Sequence, residues 1–192
     1  MEHMDIRKTA AWQRLSSMMQ NGQFLMKKTY ISMMPTYPKA PRKSISLQAR
    51  IQPRHKFNLW LAIQRRLATV DRLQKFGIDI PKDCIFCARD EETFDHFFFT
   101  CSHTRTIWGI LFKWLGHTRR IGSWQEEVDW INRLAKRKNG RDSVTCYTFA
   151  MMIYCIWHLR NSTRCQGARM ETEKMYREIA MHIHIKGRKL AN

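Results

Sequence analysis

The chain has 192 residues, enough for one domain with a substantial hydrophobic core. Its 34 Lys and Arg residues exceed its 16 Asp and Glu residues, and the net charge of +18 indicates an anionic partner. Nucleic acid is the first candidate and a membrane surface the second, although a solvated basic surface gives the same composition.

No apolar run reaches the ~18–20 residues of a membrane span. There is also no signal-peptide core, and the six cysteines lack the spacing of a disulfide framework. We therefore expect an intracellular protein, in the nucleus or cytoplasm and not secreted.

A basic N-terminal arm and a proline-containing linker are predicted over residues 1–45. Apolar residues at helical spacing favour a loose helix over residues 1–22, and Asn21-Gly22 marks a break. Three prolines between residues 35 and 41 predict irregular chain, because proline lacks a backbone donor and disfavours helix at the preceding residue.

Two helices with a corner between them are predicted over residues 53–77. Pro53 suits the first turn of the first helix. Large apolar residues recur at near-helical spacing and predict its core face: Phe57, Trp60, Leu61 and Leu67. Thr69 is the predicted N-cap of the second helix, and Gly77 is placed to end it.

The next stretch has the spacing Cys-x2-Cys-x8-His-x4-Cys. Cys84, Cys87, His96 and Cys101 supply three sulfurs and one imidazole, a complete ligand set for tetrahedral zinc with no position left for water. This composition predicts one structural Zn2+ rather than a catalytic ion. Three alternatives remain: four buried core residues, a Cys84–Cys87 disulfide, or His103 in place of His96.

The second ligand pair sets a geometric requirement. His96 and Cys101 would lie ~140° apart on a continuous helix, so the helix carrying His96 is predicted to finish or tighten near Phe99. The rings of Phe97, Phe98 and Phe99 are predicted to pack behind the metal, with Trp108 as a neighbour. The alternative is a stacking platform for bases.

Two helices are predicted between residues 106 and 137. The first contains Trp108 and ends at Gly116. The second has Ser123 as N-cap and Glu126 three positions later, which is the sequence of a capping box. Its predicted inner face is formed by Trp124, Val128, Ile131 and Leu134.

A long helix is predicted from Ser143 to about Cys165, capped by Asp142 and ended by Gly167. Its apolar residues lie nearly all round, which predicts a central position. A last amphipathic helix, from Glu171 to Lys186, has a predicted buried stripe of Met175, Ile179 and Ile183.

The predicted fold is therefore all-α, a helical bundle with a small zinc-clamped Cys3His lobe between helices. The predicted divisions are a zinc-binding domain over residues 46–116 and a C-terminal helical extension over residues 117–192 that packs on it.

The cysteine stretch and its flanks carry a specific order of residues: Pro53, Lys56, Phe57, Trp60, Leu61, Ala62, Arg66, Leu67, Thr69, Asp71, Arg72, Leu73, Cys84, Cys87, Glu92, Thr93, His96, Cys101 and Trp108. This order resembles the zinc-binding region that follows the reverse transcriptase of plant LINE-type (non-LTR) retrotransposons. Weaker similarity extends to Phe24, Lys27 and Tyr30, and to the run from Ile156 to Arg164. A tryptophan usual before the Pro, Lys and Phe of this run is absent, and Leu47 lies near its place. The resemblance implies an accessory domain that lies downstream of a polymerase.

No catalytic set is evident, and the chain is predicted not to be an enzyme. It has no Tyr-x-Asp-Asp box, no separated acids for an RNase H site, no apurinic-type endonuclease set and no glycine-rich phosphate loop. A nucleophile pair of Cys146 or Cys165 with His158 is disfavoured because these residues lie on an apolar helix. The remaining cysteine, Cys155, is predicted to be a small core residue, as are Cys146 and Cys165.

Charge is distributed unevenly along the chain. Residues 83–116 carry three basic and five acidic side chains, whereas residues 53–82 carry seven and two, and residues 117–192 carry fifteen and seven. The zinc lobe is therefore predicted to be a clamp, and phosphate contacts to RNA or DNA are predicted elsewhere. The predicted contacts are Arg54, Lys56, Arg65, Arg66, Arg72, Lys136, Arg137, Lys138 and Arg141.

Two alternatives to nucleic-acid binding remain: a scaffold domain that docks on a reverse transcriptase core through the helix of Trp157, and a non-functional fragment of such an element. Neither a membrane nor a small-molecule substrate is an expected partner.

Overall fold

The computed structural model describes residues 19–20, 23–24, 51–137, 139–167 and 171–191. The chain divides into two compact units, Met1–Ala40 and Pro41–Asn192. In the first unit the described residues form two antiparallel strands, β1 (Met19–Gln20) and β2 (Gln23–Phe24). Residues 19–20 are thus strand where the sequence predicts a loose helix. The rest of the predicted arm and linker lies outside the described residues, and the three-part division of the chain stays a prediction.

The described part of the second unit is helical and confirms the predicted all-α class. In chain order its elements are α1 (Pro53–Ile63), α2 (Val70–Lys75), a π-helical turn (His96–Thr100), α3 (Ser102–Trp114), α4 (Trp124–Arg137), α5 (Gly140–Gln166) and α6 (Thr172–Ala191). The cysteine–histidine stretch lies between α2 and α3, as expected for a small lobe inserted between helices.

Helix α5 is the centre of the bundle, as its all-round apolar sequence predicts. It packs against α1, α3, α4 and α6, and the side chains of Phe149, Met152, Ile153 and Ile156 are fully buried. Gly167 ends it in the left-handed conformation, with φ of 66°. Although α5 is long and apolar, neither it nor any other helix in the described residues could span a membrane.

The predicted capping box at the start of α4 is confirmed. The Ser123 N–H donates to Glu126 Oε2 at 2.7 Å, and the Glu126 N–H donates to Ser123 Oγ at 3.4 Å. The backbone hydrogen bond from Ser123 is the main reason that the pKa of Glu126 lies below its usual value. The four predicted inner-face residues of α4 are all buried, as are the three of α6.

The N-cap of α5 is Asn139 rather than the predicted Asp142, so the helix begins three residues earlier. Asn139 accepts a hydrogen bond from the Asp142 N–H at 2.7 Å, and its Nδ2 donates to Asp142 Oδ2 at 2.6 Å. Both residue types cap helices well, and two candidates three positions apart leave the sequence ambiguous. Asp142 occupies the first turn, where its charge is favourable.

The corner between α1 and α2 is confirmed. The Arg65 and Arg66 N–H groups donate to the carbonyls of Ala62 and Leu61, and Arg65 adopts the left-handed conformation at φ of 53°. Thr69 is the N-cap residue of α2, although its side chain makes no capping hydrogen bond. Gly77, at φ of 76°, follows the end of α2.

The predicted core face of α1 is wrong at its two largest residues. Phe57 is 59% exposed and Trp60 36% exposed, whereas His55, Leu59, Ala62 and Ile63 are buried. Both sets recur at helical spacing, so the period alone cannot choose between them. Of the other two predicted core residues, Leu67 is buried and Leu61 is half-buried.

Replacing Asn139 with alanine is expected to lower the free energy of unfolding by about 1 kcal/mol, because the first turn of α5 loses its cap. Asn139→Ser should retain most of the stability. Urea denaturation of the three proteins checks this, and equal stability of the alanine variant and the wild type would contradict the assignment.

Candidate metal centre

The first two cysteines lie on a short loop that closes on itself. The Cys84 N–H donates to the Asp90 carbonyl at 2.8 Å, the Ala88 N–H donates to the Cys84 carbonyl at 2.8 Å, and Asp83 and Glu91 form an isolated β-bridge. Ala88 adopts φ of 50°, a left-handed conformation that costs an L-residue about 1–2 kcal/mol. The loop therefore holds Cys84 at its closed end and Cys87 in its bend, at a local energetic cost.

The other two ligands are brought together by a widened helical turn. The Cys101 N–H donates to the His96 carbonyl at 2.7 Å, a hydrogen bond across five residues that defines a π turn. Cys101 then adopts extended geometry, so the helix does finish before it. The first of the two predicted possibilities, that the helix finishes, is therefore confirmed, and its last turn is widened rather than tightened. The wider turn brings residues five apart to the same side.

The four ligand atoms converge as zinc requires. They lie within 4.8 Å of one another, with 3.9 Å between the sulfurs of Cys84 and Cys101 and 3.3 Å between Cys87 Sγ and His96 Nε2. A tetrahedron with Zn–S bonds of ~2.3 Å has edges of about 3.8 Å. Three thiols and one imidazole fit a single structural Zn2+, and the four residues predicted from the sequence form the cluster.

The structure supports neither a Cys84–Cys87 disulfide nor His103 as the fourth ligand. The three cysteines and the histidine of the cluster are close, but each cysteine is free, and a disulfide requires sulfurs at ~2.05 Å. His103 is not part of the cluster formed by the described residues. The imidazole that faces the sulfurs belongs to His96.

The two ring nitrogens of His96 face different neighbours. Nε2 lies 3.3 Å from Cys87 Sγ, whereas Nδ1 lies 3.7 Å from Asp90 Oδ2, too far for a direct hydrogen bond. Nε2 is therefore the ligand atom, and Asp90 is the carboxylate placed beside the free nitrogen.

The start of α3 favours a thiolate at Cys101, which is the N-cap residue of that helix. The hydrogen bond from Cys84 lowers the pKa of Cys101 despite its burial, and the backbone N–H groups of Thr104 and His103 lower it further. The same sulfur–sulfur contact, together with burial, raises the pKa of Cys84. Of the two sulfurs, Cys101 is therefore the one more readily deprotonated.

The aromatic trio forms core, as the favoured interpretation predicts. Phe97, Phe98 and Phe99 are each 0% exposed. Their ring neighbours include Phe86, Trp124, Phe149 and Trp157. The predicted neighbour Trp108 contacts Phe149, which in turn contacts Phe99. Such complete burial excludes the trio as a stacking platform for bases.

A buried carboxylate ties the metal lobe to the central helix. Glu92, which follows the first cysteine pair, is almost fully buried. Its Oε1 accepts from Arg160 Nη2 at 2.7 Å and its Oε2 from Arg164 Nη2 at 2.9 Å. Arg164 also donates to the Asp83 carbonyl at 2.9 Å, beside the first ligand.

Sequence reasoning missed this network. Glu92 and Arg160 both stand in the motifs that carry the family resemblance, but 68 residues separate them. The available signal was the presence of arginines on an apolar helix, since a buried charge requires a partner.

The residues predicted to contact phosphates differ in their surroundings. The Arg65 guanidinium makes two hydrogen bonds of 2.8 Å to the Asp95 carboxylate, and Arg141 donates to the Gly116 carbonyl at 2.8 Å. Arg72 lies over the ring of Phe76. The remaining described members, Arg54, Lys56, Arg66, Lys136 and Arg137, are exposed or half-buried on helix surfaces or the corner. Lys138 lies outside the described residues.

The other three cysteines all lie on α5. Burial raises the pKa of Cys146 to about 12 and that of Cys155 to about 11, so neither thiol is an effective nucleophile at neutral pH. Cys165 is exposed, which corrects the prediction that it is a core residue. The potential partner His158 is also exposed.

Residues 24–108 match the family model described as zinc-binding in reverse transcriptase. The match covers the cysteine–histidine cluster and the ordered residues from Pro53 to Trp108 that carry the resemblance, but not the run from Ile156 to Arg164. The chain therefore contains a zinc-binding domain. No curated protein and no solved structure matches the chain.

Removing one ligand should abolish metal binding. Wild-type protein purified without added metal is expected to hold about one zinc ion per chain and to lose thermal stability with a chelator. Cys87→Ser should hold little zinc and be insensitive to the chelator. Cys155→Ser is the matched control, since Cys155 is another partly buried thiol but lies outside the cluster. Equal zinc contents in the two variants, measured by mass spectrometry of the metal, would exclude the site.

Breaking the Glu92 network should destabilise the protein even when zinc is present. Glu92→Gln leaves two buried or half-buried arginines without a carboxylate, and the expected loss is about 3–5 kcal/mol of unfolding free energy. Glu91→Gln changes an exposed neighbour and should have little effect. Chemical denaturation in excess zinc checks the difference, and similar stabilities would show that the network contributes little.

Proposed function

We propose that the chain is a nucleic-acid-binding accessory domain derived from a retrotransposon reverse transcriptase of the plant LINE type, with no catalysis of its own. The match of residues 24–108 supports the relation to reverse transcriptase, and the order of residues from Pro53 to Trp108 is the ground for the plant LINE type. The observation that carries the binding function is the charge distribution: an acidic zinc lobe is flanked by strongly basic segments. The protein acts inside the cell, in the nucleus or cytoplasm, where reducing conditions keep its thiols available for zinc.

Zinc acts as a clamp in this proposal. A closed ligand set leaves no position for substrate or water, and structural zinc contributes about 10–16 kcal/mol in finger peptides. That is larger than any single ion pair in the protein. The metal fixes the conformation of the lobe, and the Glu92–Arg160 contact holds the lobe against α5. Helix α1 packs against α5 and is therefore held in place as well.

The phosphate contacts are best assigned to cations that the fold does not use. Arg66 is exposed and makes no ion pair with the other described residues, and Lys56 lies on the adjoining helix α1. Arg54 is exposed on the same helix, but its guanidinium lies over the Tyr154 ring and its Nε donates to Gln52 Oε1 at 3.2 Å. Arg65 is a weaker candidate, because binding a phosphate would break its pair with Asp95. Arg141 is similarly occupied at the end of α3.

Contacts of this kind give affinity without sequence preference. Lysine and arginine side chains that neutralise phosphates release condensed counterions, so binding weakens as salt rises. Phosphate contacts position a protein on RNA or DNA but do not read bases. The domain would hold the template or target of a polymerase to which it is joined or docked.

The scaffold alternative has less support from the geometry. It places the docking surface on the helix of Trp157, but this helix is α5, which is surrounded by α1, α3, α4 and α6. Trp157 itself is half-buried, against Phe97 and the Arg160 guanidinium. Little apolar surface of α5 remains for a polymerase core.

Arg66→Ala tests the proposed contacts. The variant is expected to reduce the slope of log affinity against log salt concentration by about 0.7–0.9, the value for one phosphate contact. Arg89→Ala removes an exposed charge from the acidic zinc lobe and is the control, with no change expected. Filter binding to RNA and DNA across a salt series measures both slopes. An unchanged slope for Arg66→Ala would remove this residue from the interface, and salt-independent binding by the wild type would refute the function.

A further inference from the structure

We propose that Phe57 and Trp60 on α1 form a stacking platform for the bases of single-stranded nucleic acid. The inference rests on the proposed function and specifies the form of nucleic acid. The two residues were expected in the core, and their exposure requires another explanation. Base–aromatic stacking gives affinity for any sequence, because every base has a flat π face.

The two rings form one aromatic patch at the surface. Phe57 is 59% exposed and Trp60 36% exposed. Their centroids are 6.2 Å apart and their planes are inclined by 26°. Within the described residues Phe76 and Trp114 are also exposed, but one side of the Phe76 ring contacts the Arg72 guanidinium, and neither ring stacks on another exposed aromatic side chain of the described residues.

Cations flank the patch on the same helix. At 3.6 residues per turn, Phe57 and Trp60 lie in the middle of the exposed face, opposite the buried His55 and Leu59. Lys56 lies toward one edge of that face and Arg54 toward the other. A strand whose phosphates meet these two cations would carry its bases across the rings between them.

The charge of α1 and of the corner that follows it favours a polyanion over a protein. Residues 53–70 contain four Lys or Arg residues and no Asp or Glu. A protein partner would need an unusually acidic surface to match this segment, whereas a nucleic acid strand offers one negative charge per nucleotide. A duplex satisfies the cations equally well but hides its base faces in the stack, so the aromatic pair adds affinity for a single strand only.

The platform is tested with three probes of equal length, about 16 nucleotides, the upper end of known single-strand site sizes. They are oligothymidylate, an abasic strand with the same phosphates, and a duplex. The variant is Phe57→Leu combined with Trp60→Leu, which keeps apolar side chains at exposed positions. Trp114→Leu is the matched control, since it removes another exposed tryptophan from α3. Zinc content verifies that each protein is folded.

We expect the wild type to bind oligothymidylate at least about tenfold more tightly than the abasic strand, the effect of one or two stacked bases. The double variant should bind the two strands equally, with its salt slope and duplex affinity unchanged. Trp114→Leu should keep the wild-type preference. This pattern would establish stacking at α1.

Other patterns overturn the platform. If the wild type shows salt-dependent binding but no preference for bases, or if the double variant keeps the preference, the platform is refuted and the phosphate-binding function stands. If the wild type binds none of the probes, both fail. If the double variant loses affinity for anionic phospholipid vesicles instead, the patch belongs to a membrane-binding surface.

Discussion

The structure depends on bringing four ligand atoms from two short, differently shaped stretches to one point. A loop with a left-handed alanine, Ala88, presents the first pair, and a π turn presents the second. Neither conformation is favourable alone: left-handed backbone costs an L-residue energy, and π turns are rare. The coordination energy of zinc is large enough to hold both. Irregular backbone is therefore concentrated where the metal compensates for it, and regular helices form the rest of the unit.

The metal lobe is not self-contained, because its interior is shared with the helices that follow it. Glu92 has its charge partners on α5, and the rings of Phe97 and Phe99 contact Trp157 and Phe149 of the same helix. The matched region, residues 24–108, ends before these partners begin. Cut out at that boundary, the lobe would expose three phenylalanine rings and one buried carboxylate. The C-terminal helices are thus part of the structural unit that contains the zinc site.

Local signals in the sequence predicted much of the fold and the ligand set. The capping box at Ser123, the glycine ends at Gly77 and Gly167, and the inner stripes of α4 and α6 depend on neighbouring residues, and the structure confirms them. The four zinc ligands also follow from spacing and chemistry. Competing local signals caused two errors: Asn139 and Asp142 are both good caps, and α1 carries two stripes of equal period. Long-range pairing could not be predicted, because nothing near Glu92 specifies Arg160 as its partner. The π turn that begins at His96 could not be predicted either, because a break in the helix and a change of its turn both bring His96 and Cys101 to one ion.

The separation between Glu92 and Arg160 sets an order of events during synthesis. All four zinc ligands lie between residues 84 and 101, so they leave the ribosome together and can enclose a metal ion early. Arg160 emerges 68 residues after Glu92, and at roughly 5–20 residues per second the carboxylate waits seconds for its partner. During that interval zinc alone holds the lobe, with its phenylalanines uncovered and open to chaperones. Metal supply would then govern how much of the newly made chain reaches the folded state, apart from any effect on the finished protein.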